Sequence, residues 1–208
     1  MPLLLSLIKP SKFKSDTMII KNARAEQAKD LAYLVNLASY GVAEYLWQGM
    51  CAPGQSPLNY GASRAARSDG NFSYKNAKVM EVNGKVAGMV LSYQQPDPYD
   101  VSDINDYPKE LIPLVELEAL APGSWYINAI ATYEQYRGQG IASQLLKQCE
   151  QDALQASCKV MSLVVAKQSA QTVALYKKLG YVGIETRPVV AFEGAVQGGE
   201  WLLMTKAL

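Results

Sequence analysis

The segment WYINAIATYEQYRGQGIASQLLKQC, residues 125–149, joins a strand-like run to a helical run through a turn that contains two glycines. The first eight residues, 125–132, are predicted to form a strand. Four apolar residues recur at helical spacing after the turn and predict an amphipathic helix over residues 141–153. They are Ile141, Leu145, Leu146 and Cys149.

The turn itself has the properties of an anion-binding site. A helix that begins directly after a glycine-rich turn exposes free backbone N–H groups at the positive end of its dipole. A pyrophosphate suits such a site. Gly138 and Gly140 have no Cβ atom, so the backbone is able to approach a ligand closely. On these residues alone, a plain turn without a ligand is the alternative.

Two known phosphate-binding loops do not fit this turn. A Walker loop requires Gly-Lys followed by Ser or Thr, whereas this chain has Gly140-Ile141-Ala142. A dinucleotide fingerprint requires a third glycine where Ser143 stands, and an acidic residue after the next strand, where this chain has Ala166-Lys167-Gln168. Both patterns fail, which argues against a dinucleotide-dependent oxidoreductase.

A third pattern does fit. The run from Arg137 to Ala142 resembles the R/Q-x-x-G-x-G/A signature of the GNAT superfamily of N-acetyltransferases. A second region, SAQTVALYKKLGY (residues 169–181), resembles the family's N-x-x-A-x-x-L-Y-x-x-x-G-[FY], with Ser169 and Thr172 replacing the usual Asn and Ala. The order of elements from residue 17 to 208 is also similar. The resemblance implies an α/β (α+β) GNAT acyltransferase fold, with a mixed central sheet of splayed strands flanked by helices.

The resemblance further implies that acetyl-CoA is the cosubstrate. The strand at 125–132 would splay from a strand at 159–165, and pantetheine would bond the backbone of Ile130, Ala131 and Thr132. The pyrophosphate would lie on the turn and the first residues of the helix. These expected contacts are Arg137, Gly138, Gln139, Gly140, Ile141, Ala142 and Ser143, together with Ser169 and Thr172 further along the chain.

Direct transfer of an acetyl group to an amine requires a base, an oxyanion donor and an acid for the leaving thiolate. By the resemblance, Tyr176 is the general acid, and a backbone N–H near Ala131 is the oxyanion donor. The resemblance indicates the residue that acts as the base less clearly, because Ser124 stands where some family members carry a glutamate. Glu118 is the candidate we favour; Glu116 and a water relay are alternatives. A non-catalytic acyl-CoA sensor of the same fold is the rival function.

Elsewhere the pattern predicts a single domain over residues 17–208, preceded by a flexible extension, residues 1–16. Strands are expected at 17–24, 77–81, 86–93, 159–165, 181–192 and 200–206, with Asn83-Gly84 closing a hairpin. Helices are expected at 25–39 and 169–179, with a possible helix at 42–50 and a short helical piece after a Pro/Gly-rich turn. Residues 94–124, which contain five prolines, interrupt the pattern.

Composition and net charge argue against metal ions, nucleic acids and membranes as partners of this protein. Histidine is absent and only three cysteines occur, so we expect no metal site and a cytoplasmic location. The net charge of +1 favours neither nucleic acid nor membrane as a partner, and we expect a monomer or homodimer.

The charge is unevenly distributed along the chain. Seven acidic residues and one lysine give residues 94–124 a net charge of −6, which leaves +7 for the rest. An acidic wall at the acceptor site would select a small cationic amine, whereas a solvated loop is the alternative. Tyr40, Tyr45 and Trp47 are candidates for an aromatic acceptor pocket, with core packing as the other interpretation.

Overall fold

The computed structural model describes residues 17–193 and 198–208, so the predicted flexible extension, residues 1–16, lies outside the described residues. Seven strands of the described chain form one sheet in the order β1-β2-β3-β4-β5-β7-β6. Only β4 and β5 run parallel to each other; every other neighbouring pair is antiparallel. The strands are β1 (Met18–Asn22), β2 (Ala77–Val82), β3 (Lys85–Gln94), β4 (Trp125–Thr132), β5 (Val160–Ala166), β6 (Val182–Pro188) and β7 (Glu200–Ala207).

Helices cover both faces of this sheet. They are α1 (Ala28–Ala38), α2 (Val42–Gln48), α3 (Pro57–Ala65), α4 (Ile112–Glu118), α5 (Ile141–Gln155) and α6 (Ala170–Lys178). Successive residues of a strand point to opposite faces, so each strand supplies both cores. In β3, Met89 packs in the cluster that contains α1, whereas Val90 packs in the cluster that contains α5. The mixed, helix-flanked sheet that the sequence predicted is therefore present.

Most predicted elements lie within a few residues of the observed ones. Asn83 and Gly84 join β2 to β3 with φ angles of +51° and +80°, as a tight hairpin turn with two left-handed residues requires. Segment 94–124 is more ordered than the sequence suggested, because it contains α4. Pro113 lies in the first turn of α4, where proline fits a helix without breaking a hydrogen bond.

None of the helices in the described part of the chain is both long enough and apolar enough to cross a membrane.

Candidate active site

The site begins where β4 leaves β5. The two strands pair only through Trp125, Tyr126 and Ile127, and beyond Ile127 they separate. On its other edge, β4 remains paired with β3, but the register skips Asn128. An extra residue of this kind is a β-bulge, which bends the strand that carries it. The bulge thus marks the point where β4 turns away from β5, and the expected splay is present.

A cavity of about 760 Å³, called the cleft below, lies between the separated strands. No described strand pairs with β4 along the edge that faces the cleft beyond Ile127, so the backbone amides there are available to an amide-containing ligand. Arg137 is the one charged side chain among the described residues that line the cleft. Seven of the predicted site residues are part of its lining: Ile130, Ala131, Thr132, Arg137, Ser169, Thr172 and Tyr176.

The glycine-rich turn continues from Arg137 to the start of α5. Gly138 and Gly140 both have φ of +77°, a conformation that side chains rarely adopt, and a Cβ on either would meet nothing within 4 Å. Gly140 is the N-cap, and no side chain caps the helix. The free N–H groups of the first turn, with open space beside them, fit a pyrophosphate.

The remaining predicted turn residues lie beside the cleft rather than in its lining. Gln139, Ala142 and Ser143 belong to the turn or to the first turn of α5. Ile141 is 2% exposed and packs in the core with its side chain, so only its backbone is available to a ligand. Gly88 of β3 allows this close packing, because a Cβ there would lie 3.0 Å from Cγ2 of Ile141 and 2.8 Å from the carbonyl oxygen of Ala131.

A second cavity of about 320 Å³ adjoins the cleft. The two share four lining residues: Ala38, Asn128, Val164 and Trp201. Glu118, the predicted base, is the one charged side chain among the described residues that line the second cavity. The fold therefore places a cationic side chain on the cleft side of the junction and a carboxyl side chain on the other side.

Glu118 is held by two tyrosines. Tyr126 donates a hydrogen bond to Oε1 at 2.9 Å, and Tyr99 donates one to Oε2 at 3.0 Å. Burial raises the pKa of Glu118, and the tyrosine hydrogen bonds lower it in part. A carboxylate with a raised pKa is a stronger base than an exposed one.

Tyr176, the predicted acid, lies on α6 and lines the cleft. It is 6% exposed, and its ring packs edge-on against Tyr181 with 5.7 Å between the centroids. Burial raises the pKa of Tyr176 well above the ordinary value, and the nearby Tyr40 adds to the shift. The phenol is therefore protonated at neutral pH, as a proton donor must be.

Tyr40, a candidate for an aromatic acceptor pocket, lies in the cleft rather than in the second cavity. It lines the cleft, and its hydroxyl forms a 2.6 Å hydrogen bond with the hydroxyl of Ser169. Ser169 is the residue that replaces the asparagine of the family pattern. Trp47, by contrast, is a core residue stacked on Phe72, and Tyr45 lines a third cavity described below.

The alternative acidic candidates have other partners. Glu116 forms an ion pair with Arg187 at 2.8 Å, and it lines neither the cleft nor the second cavity. Ser124 is buried, and its hydroxyl hydrogen-bonds Ala121 and Ser162. The aspartates of segment 94–124, which were expected to contribute to an acidic wall at the acceptor site, line neither the cleft nor the second cavity. These exposed residues are Asp97, Asp100, Asp103 and Asp106.

Several residues at the junction were missed by the sequence analysis. Asn128 offered a signal, because it is the one polar residue within the otherwise apolar run WYINAIA. No sequence pattern indicated Tyr99 or Trp201, because each lines the second cavity from a distant part of the chain. In the parts of the chain that are described, no group of three or more Cys, Asp or Glu side chains is arranged to hold a metal ion.

A splayed strand edge, an uncapped glycine-rich helix N-terminus and an adjoining acidic cavity define an acyltransferase of α/β fold. The model of the acetyltransferase (GNAT) family matches residues 47–181. The chain belongs to this family, whose members are acetyl-CoA-dependent acetyltransferases. Comparison with curated protein sequences gives no match.

Solved structures support the same fold. The chain is similar to a structure described as an acetyltransferase, with 21% identity and a TM-score of 0.63 over 91% of this chain and 98% of the other. An N-acetyltransferase from Staphylococcus aureus Mu50 has 22% identity and a TM-score of 0.58 over 90% and 99%. A polyamine N-acetyltransferase from Drosophila melanogaster, which forms N-acetylagmatine, has 14% identity and a TM-score of 0.66 over 92% and 100%.

Proposed function

We propose that this protein transfers the acetyl group of acetyl-CoA directly to the amino group of a small cationic acceptor. The observation that carries the proposal is the junction of the two cavities. Tyr176 lines the cleft on one side of that junction, and Glu118 lines the second cavity on the other. A donor in the cleft and an acceptor in the second cavity would meet at the junction, as direct transfer requires.

Acetyl-CoA would supply the activated acetyl group as a thioester. The free edge of β4, at Ile130, Ala131 and Thr132, fits the amides of its pantetheine arm. The turn from Arg137 to Gly140 and the first N–H groups of α5 fit its pyrophosphate.

Glu118 is assigned the role of the base. It removes a proton from the acceptor's ammonium group, and the freed amine attacks the thioester carbonyl. A backbone N–H near Ala131 stabilises the oxyanion. Tyr176 donates its proton to the departing sulfur, and the acetylated nitrogen loses its second proton to solvent. Solvent also takes the proton from Glu118 and restores that of Tyr176, so that one proton is released overall. The charge of Glu118, unopposed by any cation among the described lining residues, also favours a cationic acceptor.

Two further assignments complete the proposal. We place the protein in the cytoplasm, because Cys51, Cys149 and Cys158 are all free thiols, which fits a reducing compartment. We assign it no nucleic acid, membrane or metal partner. A monomer or a homodimer is equally compatible with the site, because all the described parts come from one chain.

The test is an assay of free thiol release from acetyl-CoA with a panel of cationic, neutral and anionic amines. Release that depends on an amine and is fastest for cationic amines supports the proposal. Tight binding of acetyl-CoA without amine-dependent release would instead identify a sensor. Failure to bind acetyl-CoA would contradict the assignment of the cleft.

A further inference from the structure

A third cavity, of about 620 Å³, adjoins the second one on the side away from the cleft. The two share Leu46 of α2. Both cavities are also lined by the segment 107–111. Its residues Tyr107 and Leu111 line the second cavity, and Pro108 and Glu110 line the third. The three cavities therefore lie in series, with the second in the middle.

The third cavity contains a buried carboxylate that lacks a cation. Glu110 is 7% exposed, and the hydroxyl of Tyr45 donates to it over a long 3.4 Å. Within residues 17–193 and 198–208, Glu110 forms no ion pair, and no Lys or Arg lines this cavity. An ionised carboxylate is costly to bury unless a positive charge compensates it. Among the described residues nothing supplies that positive charge, so the cavity is suited to a cationic ligand.

Other residues of the cavity suit the same ligand. Glu193 is a second lining carboxylate. The charges of Glu110 and, more weakly, Glu193 raise the pKa of Tyr45, so both carboxylates lie close to one phenol. The ring of Tyr45 packs against Phe192 with 4.7 Å between the centroids, which gives the cavity an aromatic wall. Paired carboxylates beside an aromatic ring are suited to an alkylammonium group.

The position of Glu110 relative to Glu118 sets the shape of the ligand. The two residues are eight positions apart, mostly along α4, so their Cα atoms are roughly 12 Å apart at the helical rise. Apolar residues line the second cavity beside Glu118, among them Leu46, Leu111 and Leu114, and Leu46 also lines the third cavity beside Glu110. A ligand that satisfies both ends has two cationic groups joined by an apolar chain.

We infer that the acceptor is an unbranched α,ω-diamine, whose reacting amino group lies at Glu118 and whose distal ammonium is bound by Glu110. This inference rests on the proposed function and goes further by specifying the far end of the substrate. The distal contact is made equally before and during transfer, so it lowers KM and leaves kcat unchanged.

The test compares butane-, pentane- and hexanediamine with the monoamines of the same length, at saturating acetyl-CoA. We expect higher kcat/KM for the diamines, with an optimum chain length. Glu110→Gln keeps the shape and the Tyr45 contact but removes the charge. It should raise KM for the best diamine by about tenfold to a hundredfold, the range for a charged hydrogen bond, and leave the monoamine unchanged.

Two controls separate the inference from general effects. Asp103→Asn removes an exposed charge from the same acidic segment and should change neither amine's KM appreciably. Glu193→Gln alters the opposite wall of the third cavity and should raise the KM for the diamine severalfold. This second variant tests the inference even if Glu110→Gln folds poorly. The inference would be overturned if diamines and monoamines had the same kcat/KM, or if Glu110→Gln raised the KM for both by the same factor.

Calorimetric titration of the diamine into the protein saturated with coenzyme A provides a readout without turnover. Binding that weakens in Glu110→Gln supports the distal site, even where no amine is acetylated and the proposed function fails. Binding that is the same in both proteins contradicts it.

Discussion

Burial acts on Glu118 and Tyr176 in the same direction but with opposite chemical consequences. It raises the pKa of both groups. For the carboxylate, a higher pKa means a stronger base, whereas for the phenol it means that the proton is retained at neutral pH. One physical effect, removal from water, thus strengthens Glu118 as a base and holds the proton on Tyr176.

At Tyr176, loss of the hydroxyl should affect chemistry rather than binding. We expect Tyr176→Phe to lower kcat by about a hundredfold or more, the scale of general-acid catalysis, with little change in acetyl-CoA affinity. Stopped-flow measurement of the transfer step with calorimetry of acetyl-CoA binding checks this. Tyr181→Phe is the matched control, because Tyr181 packs against Tyr176 but its hydroxyl is directed to Met161. Equal rates in both variants would reject the role.

Replacing Glu118 by glutamine should lower the activity but raise the free energy of unfolding at mildly alkaline pH. Glu118→Gln is expected to lower kcat by about a hundredfold or more and to remove the acidic limb of the pH–rate profile that belongs to this carboxyl. The pKa of Glu118 is raised in the folded state, so its contribution to stability is present at acidic pH and is lost as the pH rises through that folded-state pKa.

The glutamine variant should consequently be more stable than the wild type at mildly alkaline pH, and the difference should shrink at acidic pH. Denaturant unfolding at the two pH values measures this. A variant that is less stable at both, or that keeps full activity, would contradict the assignment of Glu118 as a desolvated base.

At the scale of elements, the start of α5 is the feature on which cofactor binding depends. We expect Gly140→Glu to abolish measurable binding of acetyl-CoA, because it places a negative side chain in the open space beside the free N–H groups. Gly84→Glu is the matched control, since Gly84 also has a left-handed φ and open surroundings but lies in the β2–β3 hairpin.

Both variants share the backbone strain and the added charge, so calorimetry on the two isolates the effect of position. Unchanged acetyl-CoA affinity in a folded Gly140→Glu protein would show that the anion site is elsewhere.

The sequence predicted those elements whose signal is local. The strand β4 and the helix α5 follow from apolar spacing, and the β2–β3 hairpin follows from Asn83-Gly84. The helix α4 did not, because Pro113 and its neighbouring prolines resemble a loop until the first-turn position of Pro113 is known. The junction is beyond local patterns altogether, since Asn128, Val164 and Trp201 come together only through the sheet order.

At the scale of the whole molecule, the acidic residues of segment 94–124 include glutamates that line cavities and aspartates that are exposed on the surface. Glu110 is buried and lines the third cavity, and Glu118, whose pKa is raised by burial, lines the second. The four aspartates of the segment are exposed on the outside. Buried charges act on a bound acceptor at short range, whereas exposed ones contribute to the field that an approaching cation experiences.

This division predicts how salt should act on the acceptor. At saturating acetyl-CoA, kcat/KM for a cationic amine should fall as ionic strength rises, because exposed charges more than about 10 Å apart are largely screened at 0.1 M. Replacing all four aspartates by asparagine should flatten this dependence and lower kcat/KM at low salt, while kcat and the KM for acetyl-CoA are kept. The four positions are Asp97, Asp100, Asp103 and Asp106.

Saturation with acetyl-CoA is essential to this experiment, since salt also weakens the binding of its phosphates to the turn at Arg137. A neutral amine of similar size provides the second control, and its kcat/KM should be independent of salt in both proteins. If the wild type and the quadruple variant show the same salt dependence for the cation, the aspartates serve only as a solvated surface. Acceptor charge is then recognised by Glu118 and Glu110, the carboxyl groups of the segment that line the second and third cavities.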